Sequence, residues 1–179
     1  PMPRRSGSSR LGFGSLAIHR AGADPVAPTP AAGRTTTRLL LVVTALMASA
    51  LVSGTVVTGT GPHAGDESAR RYGFDISTVA MIHSITVWFT IAAFLVAVWA
   101  LRRDGGFTRV SSRISSWMFL AVVQGGIGYL QYFSGVPELL VVAHIVGSVA
   151  LWIATLQLTL NVLEPRVGER SVHAAETRS

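Results

Sequence analysis

Four long apolar stretches dominate the pattern of hydrophobic and polar positions along this chain. None of them contains Asp, Glu, Lys or Arg, and they span residues 39–58, 76–101, 114–134 and 139–163. As α-helices rising about 1.5 Å per residue, all four are long enough to cross a hydrocarbon core of roughly 30 Å. The pattern predicts an all-α integral membrane protein, a bundle of four transmembrane helices in a lipid bilayer.

The polar segments between and around these stretches predict the topology. Residues 1–38 contain six Arg and a single acid among Ser, Gly, Ala and Pro, which is typical of a disordered basic arm. The connection 102–113 holds four Arg and one Asp. The positive-inside rule places both segments in the cytoplasm, and the tail 164–179 returns to the same side. We expect both termini to be cytoplasmic, in a bacterial plasma membrane.

Composition narrows the function classes. The chain has 179 residues, of which 49% are hydrophobic and 13% charged, with a net charge of +6. All fifteen basic residues are Arg and lie in tails and loops beside apolar runs, so membrane topology explains the charge and no nucleic-acid partner is expected. Cysteine is absent from the sequence, which excludes disulfides, thiolate metal sites and thiol catalysis.

Two histidines interrupt the apolar stretches. His83 and His144 lie near the starts of the second and fourth stretches, eight residues after Asp75 and six after Glu138. The predicted topology puts both at a depth of roughly 9 to 12 Å below the outer ends of their helices. Ionisable residues inside a membrane segment are costly and mark functional sites. The matched depth suggests one shared role.

A weak internal repeat supports this pairing. Gly54 and Gly61, near the end of the first stretch, have the same spacing as Gly128 and Gly135 near the end of the third. Each pair precedes a helix that carries a histidine, so the domain is expected to consist of two similar hairpins. In the third helix Gln124, Gly128, Gln131 and Gly135 fall on one face, which suits either helix packing or the lining of a cofactor.

Imidazole is a common axial ligand of heme iron, and two imidazoles on different helices of a bundle could hold a heme between them. The alternative is that each histidine only forms a hydrogen bond with a neighbouring helix. Zinc is disfavoured because it requires three or four ligands. Arg70 and Arg71 could pair with heme propionates or remain as solvated loop charges. The sequence assigns no role to His63 and offers no catalytic residue.

The motifs resemble a known family. The stretch VVTGTGPHAGD at the end of the first helix, His83, QGGIGYLQYFSGVPE across the third helix and VVAHIVGSVAL in the fourth are together similar to the carboxyl-terminal half of the heme A synthase family. The resemblance covers residues 38–161. It does not extend to the first 37 residues.

This resemblance implies an eight-helix membrane enzyme made of two four-helix halves, which oxidises a methyl group of heme O to the formyl group of heme A for terminal oxidases. It implies that His83 and His144 are the axial ligands of a heme b. The catalytic residues and the substrate heme would belong to a missing or separate amino-terminal half, and the electron donor is not implied. The alternatives are a membrane cytochrome b that only transfers electrons and a non-enzymatic assembly or scaffold protein.

Overall fold

A computed structural model describes residues 29–30, 32–62, 70–163 and 165–166. Within these ranges the chain is almost entirely helical and its four helices run antiparallel, which confirms the all-α prediction. The helices are α1 (Arg34–Thr60), α2 (Ile76–Arg103), α3 (Phe107–Phe133) and α4 (Glu138–Leu163), and two short strands, β1 (Thr29–Pro30) and β2 (Pro165–Arg166), pair antiparallel. The greater part of the basic arm and of the carboxyl-terminal tail lies outside the described residues.

Three helices are longer than the apolar pattern alone suggested. Helix α1 begins at residue 34 instead of 39, α2 ends at 103 instead of 101, and α3 begins at 107 instead of 114. The added turns contain Thr, Ser and Arg, which are compatible with a helix where it leaves the apolar region. Residues 34–38 therefore belong to α1 and not to the basic arm. We call this end of the bundle, with Arg34, Arg102 and Arg109, the arginine end.

Asp104 joins two helices at the arginine end. Its carboxylate accepts hydrogen bonds from the Thr36 hydroxyl at 2.7 Å and from the Gly33 N–H at 2.8 Å, so the end of α2 is tied to the start of α1. These bonds, chiefly that from Thr36, favour the carboxylate and lower the pKa of Asp104 below its ordinary value. The contact explains why α1 can begin in a polar segment.

The opposite end, which we call the histidine end, contains a second aspartate. Asp75 caps the start of α2, where its side chain accepts from the Thr78 N–H at 2.8 Å. The hydroxyls of Ser77 and Thr78 bind the same carboxylate, and these bonds lower the pKa of Asp75. A capped start fixes the register of α2, and with it the position of His83, eight residues after Asp75.

Three of the four described helices, α1, α2 and α4, are long and apolar enough to cross a membrane. Helix α3 is equally long but less apolar, because Gln124, Gln131 and several glycines lie within it. Large apolar side chains on its surface are nevertheless exposed, including Phe119 at 68%, Val122 at 73% and Phe133 at 78%. Such a surface is typical of contact with lipid or with another protein.

The helices pack as two hairpins. Helix α1 packs extensively along α2 and α3 along α4, while contacts between α1 and α4 join the hairpins. Helices α2 and α3 make few contacts with each other. The order around the bundle is therefore α2, α1, α4, α3, and α2 faces α4 diagonally across its centre.

The hydrophobic core lies in the arginine half of the bundle. Its centre is a stacked pair, Phe94 of α2 and Trp117 of α3, with ring centroids 3.6 Å apart. The Trp117 indole N–H also donates to the Thr155 hydroxyl at 2.8 Å, which links α3 to α4. The helical residues of the fully buried cluster all lie in this half, and they are Leu40, Val43, Met47, Phe94, Ala97, Val98, Leu101, Val110, Ile114, Trp117, Leu151, Leu158 and Val162. None of the helical residues of this cluster lies in the histidine half.

Candidate functional site

Each histidine lies against a glycine of the preceding helix. A Cβ atom added to Gly54 of α1 would lie 3.2 Å from Cε1 of His83, and one added to Gly128 of α3 would lie 3.0 Å from Cε1 of His144. Both distances are shorter than an ordinary van der Waals contact. The two imidazoles therefore occupy space that exists because these positions lack a side chain.

The two imidazoles lie next to each other across the bundle. His83 of α2 and His144 of α4 have ring centroids 6.4 Å apart, with the ring planes at 78°. Both side chains are half-buried. The diagonal arrangement of α2 and α4 brings them together in the half of the bundle that lacks the buried apolar cluster.

This geometry is compatible with an ion held between the rings. A metal about 2 Å from one nitrogen of each of two opposed imidazoles would put the ring centroids roughly 6 Å apart. Heme iron accepts two axial imidazoles in this way. The described residues contain no group of three or more His, Cys, Asp or Glu side chains that could hold a metal. A site with two protein ligands thus suits heme better than zinc.

The Nδ1 atoms of the two rings have different surroundings. Nδ1 of His83 lies 3.0 Å from the Ser53 hydroxyl, and that hydroxyl lies 3.0 Å from the Ala50 carbonyl. Nδ1 of His144 is buried and has no hydrogen-bond partner among the described residues, although the ring lies against the backbone of Gln124. The two imidazoles are therefore held differently despite their matched depth.

Gln124 connects α3 to the helix of His144. Its side chain is only 8% exposed, and its Nε2 donates to the His144 carbonyl at 2.6 Å. Its Oε1 is buried with no hydrogen-bond partner among the described residues and lies close to Gly147, where an added Cβ would overlap it. The absence of a side chain at Gly147 thus makes room for the Gln124 side chain.

The glycine repeat holds at one position and differs at the other. Gly54 and Gly128 have equivalent places beside the histidines. Gly61 follows α1 with φ of −71°, whereas Gly135 follows α3 in the left-handed region with φ of +75°. The hairpins are thus similar around the histidines, and they diverge where the connections begin.

The loop arginines lie at the histidine end. Arg71 donates to the Gly61 carbonyl at the end of α1, which satisfies a backbone acceptor that the helix leaves open. Arg70 is exposed. Pairing of either with a heme propionate stays a prediction. His63 lies outside the described residues.

Sequence reasoning missed Ser53 and the Phe94–Trp117 stack. Ser53 directly precedes Gly54, and a hydroxyl beside a glycine on a helix predicts nothing until the facing ring is known. The stack joins residues of α2 and α3, and the sequence pattern does not show which faces of those helices meet. The spacing that puts Gln124 and Gly128 on one face of α3 was the sequence signal that indicated part of the site.

Comparison of the chain with protein-family models, with curated proteins and with solved structures found no match.

Proposed function

We propose that this chain binds one b-type heme between His83 and His144. The observation that carries the proposal is the adjacent pair of imidazoles, 6.4 Å apart, each lying against a glycine. Separate packing roles would not require the two rings to lie next to one another. When bound, the heme would supply one-electron redox chemistry, and the chain would supply the two ligands and their orientation.

The distribution of packing supports a cofactor at this end. The fully buried apolar cluster fills the arginine half, whereas the histidine half contains glycines and two buried glutamine oxygens without partners, those of Gln124 and Gln131. A bundle that reserves one half for a bulky apolar group would have this composition. Because α2 and α3 make few contacts with each other, a bulky group could lie between these two helices.

A membrane location completes the proposal. Three helices meet the length and composition of membrane spans, and α3 is proposed as the fourth because it packs along α4 and exposes apolar side chains. The arginine end would face the cytoplasm of a bacterial cell, since arginines flank the helices there. The heme would then lie in the outer half of the membrane.

The proposed role of this heme is electron transfer within a heme A synthase-like oxidoreductase. The support is the motif resemblance over residues 38–161, which implies that methyl oxidation of heme O occurs in another four-helix half. The described residues around His83 and His144 include hydroxyl, amide and glycine neighbours. These neighbours are consistent with a heme that transfers electrons and takes no part in acid–base chemistry.

The test is a pyridine hemochrome spectrum of the purified chain. We expect one b-type heme per chain in the wild type, and in both His83→Ala and His144→Ala either less bound heme or, in the untreated protein, an absorption spectrum that has lost its bis-imidazole form. His63→Ala, a change in the connection between α1 and α2, is the matched control and should retain the heme. A colourless wild-type protein, or unchanged heme in both membrane-helix variants, would refute the proposal.

A membrane cytochrome b that only transfers electrons is the second candidate. It is favoured by the same neighbours of the histidines, because electron transfer needs no proton donor at the site. Coexpression with the catalytic half of a heme A synthase, followed by pigment analysis for heme A, separates the two roles. Production of heme A that depends on His83 and His144 supports the synthase-like role, whereas bound heme without heme A supports the cytochrome.

A further inference from the structure

The two hairpins differ at one position beside the histidines. Ser53 directly precedes Gly54, whereas Ile127 directly precedes Gly128. The Ser53 hydroxyl lies 3.0 Å from Nδ1 of His83, but Ile127 has no group that can form a hydrogen bond. The internal repeat therefore places a polar partner behind only one of the two rings.

The Ser53 contact favours a proton on Nδ1 of His83. A hydroxyl has one proton to donate, and that of Ser53 is within hydrogen-bond distance of the Ala50 carbonyl at 3.0 Å. With the Ser53 proton on that carbonyl, its oxygen accepts from the Nδ1–H of His83, and the Ala50 backbone, which also lies against the ring, favours the same proton position. Nε2 of the same ring consequently keeps its lone pair for a ligand bond, and the ring is fixed in orientation.

His144 lacks this constraint. Its Nδ1 is buried and has no hydrogen-bond partner among the described residues. The Gln124 side chain donates to the backbone carbonyl of His144 and not to its ring. The ring lies against the Gln124 backbone, but no side chain among the described residues fixes its tautomer or its rotation.

We infer that the two ligands are unequal, with His83 the permanent ligand, Ser53 its positioning residue, and His144 an exchangeable ligand. The inference depends on the proposed heme site and adds a small-molecule binding position to it. In the heme-loaded, reduced chain, His144 would release the iron and keep its nitrogen electron pair on the ring, and a neutral diatomic molecule such as carbon monoxide would bind there with its own electron pair.

The experiment uses the purified, heme-loaded chain and two measurements, heme transfer to apomyoglobin and carbon monoxide binding after reduction. Loss of an outer hydrogen bond to a metal-bound histidine typically weakens binding by about 10- to 100-fold. We expect Ser53→Ala to lose heme at least about tenfold faster than wild type, and Ser53→Thr to restore retention. His144→Ala should keep its heme and bind carbon monoxide readily, whereas His83→Ala should lose its heme.

Ser148 provides the matched control. Its hydroxyl donates to the Ile145 carbonyl three residues earlier at 2.7 Å, as that of Ser53 does to Ala50, and no bond from it to a histidine ring is seen. Ser148→Ala should retain heme as wild type does. Ile127→Ser introduces a hydroxyl behind His144 and should slow carbon monoxide binding.

Equal heme loss from His83→Ala and His144→Ala, or equal behaviour of Ser53→Ala and Ser148→Ala, would overturn the inference while leaving the heme site intact. A colourless wild type would overturn both. Nitrogen-15 NMR of the heme-free protein is an independent measurement, because it does not depend on how much heme the chain binds. It should show His83 with its proton on Nδ1, and a proton on Nε2 of His83 would contradict the inference.

Discussion

Substitution of Gly128 by alanine tests whether the His144 imidazole needs the space that the absence of a side chain at Gly128 leaves. The added Cβ would lie 3.0 Å from Cε1 of the ring, so the ring or the helix must shift by a few tenths of an ångström. Gly125 is the matched control because a Cβ at that position meets nothing within 4 Å. Both changes are glycine to alanine within α3, so the gain in helix propensity, about 0.5–1 kcal/mol, is common to both.

The difference between the two variants therefore isolates the steric cost. Overpacking of a closely packed site costs about 1–3 kcal/mol. Gly125→Ala should be slightly more stable than wild type, and Gly128→Ala should be less stable than Gly125→Ala by about 1–3 kcal/mol. Gly54→Ala, with its Cβ 3.2 Å from Cε1 of His83, should behave like Gly128→Ala.

The assay is reversible unfolding of the heme-free protein in detergent micelles, combined with heme titration. Heme affinity should fall by roughly tenfold for each 1.4 kcal/mol of strain that persists in the bound state. A double-mutant cycle identifies the cause, because in a His144→Ala background the cost of Gly128→Ala should disappear. Equal stability of Gly125→Ala and Gly128→Ala, or an unchanged cost in that background, would refute the reasoning.

Three other predictions concern the surrounding contacts. Gly147→Ala should displace the Gln124 amide, because the added Cβ overlaps its Oε1, and should weaken heme binding more than Gly126→Ala, which meets nothing within 4 Å. Thr155→Val removes the hydroxyl that accepts from the Trp117 indole N–H at similar side-chain volume, and thermal unfolding should show a destabilisation of about 0.6 kcal/mol, typical of an interhelical hydrogen bond in a membrane. Because the folded-state pKa of Asp104 is lowered, its stabilisation is present above its unfolded value of about 3.9 and is lost as pH falls below it. Unfolding measured against pH should show this acid loss in wild type and less of it in D104N.

Much of the fold was predictable because membrane helices leave long runs without charge. The positions of all four helices follow from such runs, and the all-α prediction is confirmed. The helix ends were less predictable, since α1 and α3 begin in polar turns. Asp104 supports the start of α1, and its bonds to Gly33 and Thr36 connect residues about seventy positions apart. A pattern of local hydrophobicity cannot show such a contact.

The candidate site was partly predictable for the same physical reason. His83 and His144 were conspicuous because ionisable residues are rare in apolar stretches, and similar offsets from the helix starts predicted a similar depth. The repeat singled out Gly54 and Gly128, but their contact with the histidine rings was not predicted. The role of Ser53 could not be predicted, because it depends on how α1 is rotated against α2. The bond from Arg71 to the Gly61 carbonyl could not be predicted either, because it joins a loop residue to the end of α1.

Heme ligation by His83 and His144 is tested most directly by the electron paramagnetic resonance spectrum of the oxidised, heme-loaded protein. Two imidazole ligands should give a low-spin ferric signal, and the 78° angle between the ring planes predicts the highly anisotropic form expected for perpendicular ligand planes. Removal of one ligand in His144→Ala should convert the signal to high spin. A low-spin signal that is unchanged in both His83→Ala and His144→Ala would show that the heme is held elsewhere and would contradict the account.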